Sequence, residues 1–279
     1  MQESATTQPA FPYLHGFSSE EQERLRRQAR ITEQLIYRDI DFSDRDHILE
    51  VGSGVGAQTE ILLRRFPNLR ITGIDLNQRQ IDTARRVLDA QPWFADRYEL
   101  EQMDATSLSF PSHHFGGAFL CWVLEHVPDP AAVLSELRRV LRPGSPVFIT
   151  EVMNSSFFLD PYSPAVWQYW MAFNDYQYDM AGDPFIGAKL GNLLLTTGYR
   201  QVSTQVKTFH YDNRNPGKRK IIIAFWEELL LSAAQQLIDS GRVTSELVDN
   251  MRDELRRVQN NPNAVFFYSF IQASAKVWE

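Results

Sequence analysis

The run Ile48-Leu49-Glu50-Val51-Gly52-Ser53-Gly54-Val55-Gly56 limits what this chain can fold into more than any other stretch. An apolar strand ends in an acid and then in alternating glycines, and Ala57 to Leu63 reads as the start of a helix. A strand that turns straight into a helix needs backbone conformations open to glycine, and a ligand can come close where no Cβ stands. The amides of the turn and of the helix N-terminus then face that ligand. Glu50 suits a ligand that presents a cation as well as a nucleotide.

The pattern around this loop alternates. Strands are expected near 47–51, 70–75, 97–103, 116–121 and 146–151, with helices near 57–65, 78–89 and 131–142. Short buried strands alternating with helices predict a parallel sheet with helices on both faces. After Glu151 the alternation stops, and nine aromatics crowd into the 22 residues from Phe157 to Tyr178. A helix near 186–197 and a strand near 201–209 resume the sheet. Helices near 219–239 and 244–259 follow, and Ala264 to Trp278 reads as a closing strand. The helix near 219–239 is apolar nearly all round, which predicts burial between sheet and helices, while Lys218-Arg219-Lys220 at its start reads as a solvated face or an anion contact.

Ahead of the sheet, residues 1 to 10 are polar and Phe11 to Phe17 form an aromatic cluster. Ser18 with Glu21 makes a capping box, and Leu25, Ala29, Leu35, Ile36 and Ile40 leave an apolar stripe to about residue 40. The expected organisation is an N-terminal lid segment over 1–46 and an α/β domain over 47–279. Cap insertions are expected at about 152–185 and 216–262.

Composition excludes several classes. A chain of 279 residues with 43% apolar and 12% aromatic content can build a large core, which excludes a disordered chain. No apolar stretch reaches the ~20 residues that span a bilayer, and no signal-like segment opens the chain. A net charge of −7 argues against nucleic acid, which asks for a basic footprint. The single cysteine, Cys121, excludes an internal disulfide framework and fits a cytoplasmic protein without stable membrane insertion.

Two cofactors compete for the glycine loop. Gly52-x-Gly54-x-x-Ala57 satisfies the dinucleotide pattern, with Asp75 at the offset that holds ribose hydroxyls. The wider setting favours the other. Glu50-x-Gly52-x-Gly54-x-Gly56 resembles the first motif of the class I S-adenosylmethionine-dependent methyltransferases, and further segments resemble that family in order. Ile71 to Asp75 looks like its ribose-binding second strand, and Gln102-Met103-Asp104-Ala105 like its adenine-contacting third. Phe119 to Pro130 looks like the fourth strand and the loop below the transferred methyl, and Leu137 to Gly144 like the helix and turn before strand five. The middle motifs resemble the ubiquinone/menaquinone and sterol methyltransferases. The resemblance is dense over about residues 45 to 151 and loose elsewhere. It implies a Rossmann-like, seven-stranded, mostly parallel sheet whose last strand is antiparallel, with a helical lid and aromatic substrate caps.

The same resemblance assigns roles. Gly52, Gly54 and Gly56 would admit the methionine part of S-adenosylmethionine, Asp75 the ribose hydroxyls, and Leu76 joins that group. Asp104 would accept from the adenine amino group and Ala105 would offer its amide to the ring. Independently, ligands of open α/β sheets lie beyond the strand carboxyl ends, which selects Glu50, Asp75, Asp104, Cys121 and Glu151. Glu50 either orients the methionine amino group or bonds loop amides. Cys121 reads as a small residue beside the cofactor rather than a nucleophile. Where the acceptor carries a proton, His126 is the first candidate base, with Glu125, Glu151 and Tyr13 next. Loop support by backbone bonds is the other reading of His126. His113 and His114 sit in a turn, and no spacing suggests a metal site. The expected activity is methyl transfer to a small, largely apolar or aromatic metabolite of specialised metabolism. The alternatives are C-methylation of a prenyl chain or quinone ring, and an NAD-dependent oxidoreductase, which would want a Tyr-x-x-x-Lys pair after strand five that this chain lacks.

Overall fold

The computed structural model describes residues 13–16 and 18–278, so Phe11, Pro12 and Phe17 of the aromatic cluster lie outside the described residues. The expected alternation is present: β1 (His47–Val51), α2 (Ala57–Arg65), β2 (Arg70–Asp75), α3 (Gln78–Asp89), β3 (Tyr98–Gln102), β4 (Ala118–Cys121), α4 (Pro130–Val140) and β5 (Pro146–Val152), preceded by α1 (Ser19–Ile36). These strands lie parallel in the order β3-β2-β1-β4-β5. β8 (Val265–Lys276) then runs antiparallel to β5, and β7 (Arg200–Tyr211) pairs antiparallel with the other side of β8. The sheet's switch point falls between β1 and β4, above which ligands of such folds bind.

One strand exceeds the seven expected. β6 (Phe158–Asp160) continues past the end of β5 and pairs Phe158 to Asp160 with Phe267 to Val265 of β8. β8 is twelve residues long, five more than β5, and the aromatic stretch supplies the missing partner.

The aromatic stretch then forms α5 (Pro164–Asp179), whose Trp170 packs, together with Phe157 from just ahead of β6, against Trp226 of α7 (Pro216–Ser232). α8 (Ala234–Asp239) and α9 (Ser245–Asn260) complete this roof, whereas α6 (Leu190–Thr196) packs with α4 in the other core. The long apolar helix expected over 219–239 is two helices, broken at Ala233. Arg219 corrects another expectation. It is 1% exposed, and its guanidinium donates to the carbonyls of Asn261, Pro262 and Ala264 just past α9, so it is neither solvated nor an anion contact.

α1 caps as its sequence predicts, with Ser18 Oγ accepting from the Glu21 amide at 3.2 Å. The Glu21 side chain turns inward instead of closing the box. It pairs with Arg24 at 2.6 Å, both nearly buried. The end of α1 belongs to the main core through Ile36 and Tyr37, and Gln272 of β8 donates to the Ile36 carbonyl at 2.9 Å. Among the described residues no helix is long and apolar enough to cross a membrane.

Candidate active site

The glycine loop is held by its own amides, which donate to the neighbouring strand β2. The amides of Gly52 and Ser53 both donate to the Ile74 carbonyl, at 2.8 and 2.9 Å. Gly52, Gly54 and Gly56 have φ of 70°, 51° and 76°, the left-handed region that costs other residues about 1–2 kcal/mol. Their surroundings differ. A Cβ on Gly52 would lie 2.5 Å from Val123 Cγ2 and one on Gly56 3.1 Å from Ala84 Cβ, whereas one on Gly54 would meet nothing within 4 Å. Gly54 is the glycine that leaves space for a ligand.

Asp75 ends β2 beside that space. Its Oδ2 accepts from the Gly54 amide at 3.0 Å and its Oδ1 from the Asn77 amide at 2.8 Å, which aims the carboxylate along the loop. Burial raises its pKa and the two amides partly offset this. Leu76 follows and is 45% exposed. Asp104 and Ala105 lie just past β3, where the Asp104 carboxylate accepts from the Thr106 amide and hydroxyl at 2.8 and 2.7 Å and stays exposed. Cys121, at the end of β4, receives a 3.7 Å hydrogen bond from Gln58 of α2, and burial pushes its thiol well up. It is not a thiolate.

Glu50 is fully enclosed. Thr59 donates to its Oε2 at 2.6 Å, and Oε1 has no partner. Burial lifts the carboxyl to about 8, so it holds a proton at neutral pH. A buried carboxylate oxygen without a donor fits a cationic ammonium arriving from a ligand. The glycine loop with its open Gly54, the aimed Asp75 and the orphaned Glu50 oxygen together fit the ribose and amino-acid ends of S-adenosylmethionine.

The opposite wall is the turn after β4. Trp122 sits at φ 57°, an uncommon conformation for so bulky a residue, and its ring meets Phe270 edge-on at 5.9 Å. Glu151 explains how the turn stays in place. Its Oε1 accepts from the Val123 and Leu124 amides at 3.0 and 2.7 Å and its Oε2 from the Glu125 amide at 3.3 Å. It is completely buried and its pKa rises to about 8, because burial and the Glu125 charge outweigh the three amides.

His126 follows, 18% exposed at the side chain, with Nε2 3.7 Å from Glu125 Oε1. Burial lowers its pKa, and Glu125 opposes that shift. The imidazole is therefore neutral at pH 7 and able to accept a proton. The N-terminal segment closes on it. The Tyr13 ring stands edge-on to His126 at 5.0 Å and to His15 at 5.4 Å. Tyr13 titrates far above its usual value through burial, and the carboxylates of Glu21, Glu125 and Asp75 add to the shift. His15 Nδ1 bonds Ser232 Oγ at 2.6 Å and Gln236 donates to the Tyr13 carbonyl at 3.1 Å, so α7 and α8 hold the segment down.

The structure thus brings Tyr13 and His126 together and sets the 122–126 turn on the glycine loop. Glu151 stands behind the turn as its anchor. Three participants escaped the sequence reading: the buried Glu21–Arg24 pair, His15, and Gln177, which donates to Glu125 Oε2 at 2.8 Å. Aromatic density over 157–178 marked the region of Gln177 but not the residue. No group of three or more candidate metal ligands occurs among the described residues.

An open sheet of this order with a glycine loop at its switch point defines a nucleotide-cofactor-binding α/β core. Residues 49–149 match the family model of a methyltransferase domain. An O-methyltransferase of Pyrenophora dematioidea is 31% identical over 160 residues, 57% of this chain and 55% of that protein. A demethylmenaquinone methyltransferase of Symbiobacterium thermophilum is 33% identical over 104 residues, 37% of this chain and 41% of its own length. The chain spans about half the length of these relatives. Among solved structures, the Haemonchus contortus phosphoethanolamine N-methyltransferase 2 complex with S-adenosylhomocysteine superposes with TM-score 0.57 at 16% identity. It covers 90% of this chain and 53% of that one, a likeness of fold.

Proposed function

We propose that this protein transfers a methyl group from S-adenosylmethionine to a hydroxyl of a small, largely apolar or aromatic metabolite of specialised metabolism. One observation carries the proposal. Val123, on the turn that bears His126, is the residue a Cβ on Gly52 would strike at 2.5 Å, so the wall that carries a neutral base abuts the cofactor loop. Likeness to O-methyltransferases supports the hydroxyl acceptor.

In this reading Gly52, Gly54 and Gly56 admit the methionine part, Glu50 Oε1 meets its ammonium, Asp75 and Leu76 hold the ribose, and Asp104 with Ala105 hold the adenine. Bound there, the cofactor supplies an activated methyl on a sulfonium, so the protein's task is alignment and exclusion of water, worth on the order of 7–11 kcal/mol. His126 takes the hydroxyl proton. Tyr13 stays protonated at working pH and serves as a hydrogen-bond donor, not a base. Glu151 acts through the turn it anchors. The segment around Tyr13 to Gly16 is the lid. α1 supports it and is not separable from the core. The lone cysteine supports a cytoplasmic setting.

Methyl-labelled S-adenosylmethionine with a metabolite library, read by mass spectrometry, tests this alongside calorimetry with S-adenosylhomocysteine. Labelled ethers are the expected products. Tight NAD binding with no S-adenosylhomocysteine binding would sink the proposal.

A further inference from the structure

The space beside His126 is nearly sealed. Between His126, Leu14, Gln177, Met180 and Gly182 it measures about 10 Å³, room for one water at most. Part of its wall is fixed: the Gly182 amide donates to the Gln177 carbonyl at 3.0 Å and the Asp183 amide to the Glu125 carbonyl at 2.8 Å, which ties the end of α5 to the turn. Leu14, 2% exposed, belongs instead to the short strap of residues 13–16. An acceptor reaches the imidazole only after this strap lifts.

Two side-chain bonds from the roof hold the strap down. His15 Nδ1 bonds Ser232 Oγ of α7 at 2.6 Å, and Gln236 of α8 donates to the Tyr13 carbonyl at 3.1 Å. The first bond has a defined polarity. α7 ends at Ala233, whose amide donates to the Leu230 carbonyl and leaves the Leu229 carbonyl without its helical partner. The Ser232 hydroxyl takes that place, donating to Leu229 at 2.7 Å. A hydroxyl has one hydrogen, so His15 Nδ1 is the donor to Ser232 and Nε2 is the atom left to take a proton.

A proton on His15 would be enclosed among groups that oppose it. The ring packs against Tyr13 at 5.4 Å, His126 at 6.3 Å and Phe173 of α5 at 5.7 Å. Burial holds its pKa well below the ordinary 6.5, and Arg24 of α1 and His126 push the same way. The carboxylates of the cluster have other partners: Glu21 pairs with Arg24, Glu125 lies 3.7 Å from His126, and Glu228 of α7 pairs with Arg27. Among the described residues no carboxylate pairs with His15.

We propose that His15 is a positioning residue that gates acceptor entry: neutral, it fastens the strap to Ser232 and sets Tyr13 against His126; protonated, it releases the strap and opens the chamber. The inference rests on the methyl-transfer reading above, in which this chamber takes the acceptor. A histidine that binds its proton more weakly closed than open favours the closed strap fully above its ordinary 6.5. That preference is lost as pH falls below it, by up to about tenfold per unit.

The test reads the strap itself. Hydrogen exchange of the amides of residues 13–16 is followed by mass spectrometry between about pH 5.5 and 8 on the full chain, with and without S-adenosylhomocysteine, each rate divided by its intrinsic rate at that pH. Protection should be greatest near pH 8 and fall by up to about tenfold per unit below about 6.5. His15→Asn keeps a donor near the Nδ1 position and has no proton to gain. It should retain the protection seen near pH 8 and lose most of the pH dependence. His15→Leu and Ser232→Ala remove the bond and should lower protection near pH 8 about fivefold. Melting curves check that the three variants fold. A flat wild-type profile overturns the inference. So does a His15→Asn profile with the wild-type slope, which would assign the proton to His126 or to the Glu21–Arg24 pair. Exchange needs no acceptor, so a protein that binds no S-adenosylhomocysteine overturns the methyl-transfer reading while the profiles still decide the role of His15.

Discussion

The glycine loop and the turn bearing His126 touch through Gly52 and Val123, yet different forces hold them in place. The loop is secured by neighbours in sequence and along adjacent strands: Gly52 and Ser53 on the Ile74 carbonyl, Gly54 on Asp75. The turn depends on side chains far along the chain, Glu151 beneath it, Gln177 beside it and Tyr13 above it. The loop's geometry is therefore intrinsic to its residues, while the turn's geometry exists only once the roof is assembled. A substitution in the loop should act on cofactor binding, and one in the roof on turnover.

Gly52→Ala breaks that separation most strongly, because its methyl would press into Val123 of the opposite wall at a positive φ. We expect S-adenosylhomocysteine affinity to fall by more than about hundredfold and stability by about 1–3 kcal/mol, measured by calorimetry and denaturant unfolding. Gly54→Ala sharpens the contrast. Its methyl meets no protein atom, so affinity should fall with a stability cost of only about 1–2 kcal/mol. If the two variants lose stability by more than that and equally, the loop is not built as described.

His126→Ala probes the other wall. On a hydroxyl substrate kcat should drop about 10²–10⁴-fold with cofactor affinity nearly unchanged. Normal turnover would remove His126 as the base. Tyr13→Phe, which keeps the ring against His126 and deletes only the hydroxyl, should cost about tenfold in kcat/KM and little in cofactor affinity.

The smallest effect concerns Glu50. Its carboxyl, near 8 by burial, is protonated at pH 7 before the ligand binds, and an arriving ammonium favours the ionised form. Binding should release a proton, so affinity rises with pH by less than about tenfold per unit and levels off above 8. Isothermal titration in buffers of different ionisation enthalpy reads this directly, and Glu50→Gln should abolish the slope. The sign for folding is opposite. A carboxyl raised above its ordinary 4.5 stabilises the ligand-free protein fully at acidic pH, and that contribution is lost as pH rises through about 8.

The sequence alone determined the loop, the bounds of β1, β2, α2 and α3, and the parallel sheet implied by their alternation. Local chemistry dictates these features: glycine where φ must be positive, apolar runs short enough for buried strands, and Ser18 and Asn77 where helices begin. It did not determine β6, the break at Ala233, the burial of Arg219 or the inward turn of Glu21. The first three answer to partners distant in the chain: the free length of β8, the packing of the roof and the carbonyls past α9. Glu21 pairs with Arg24 one turn on, but only burial of both under the N-terminal segment makes that pair preferable to the cap. Tertiary structure alone decided that Gln177 would hold Glu125, because 52 residues separate the two. Backbone preferences reach a few residues along a chain. Apposing two side chains across a site requires the packed core between them, and no local pattern encodes that.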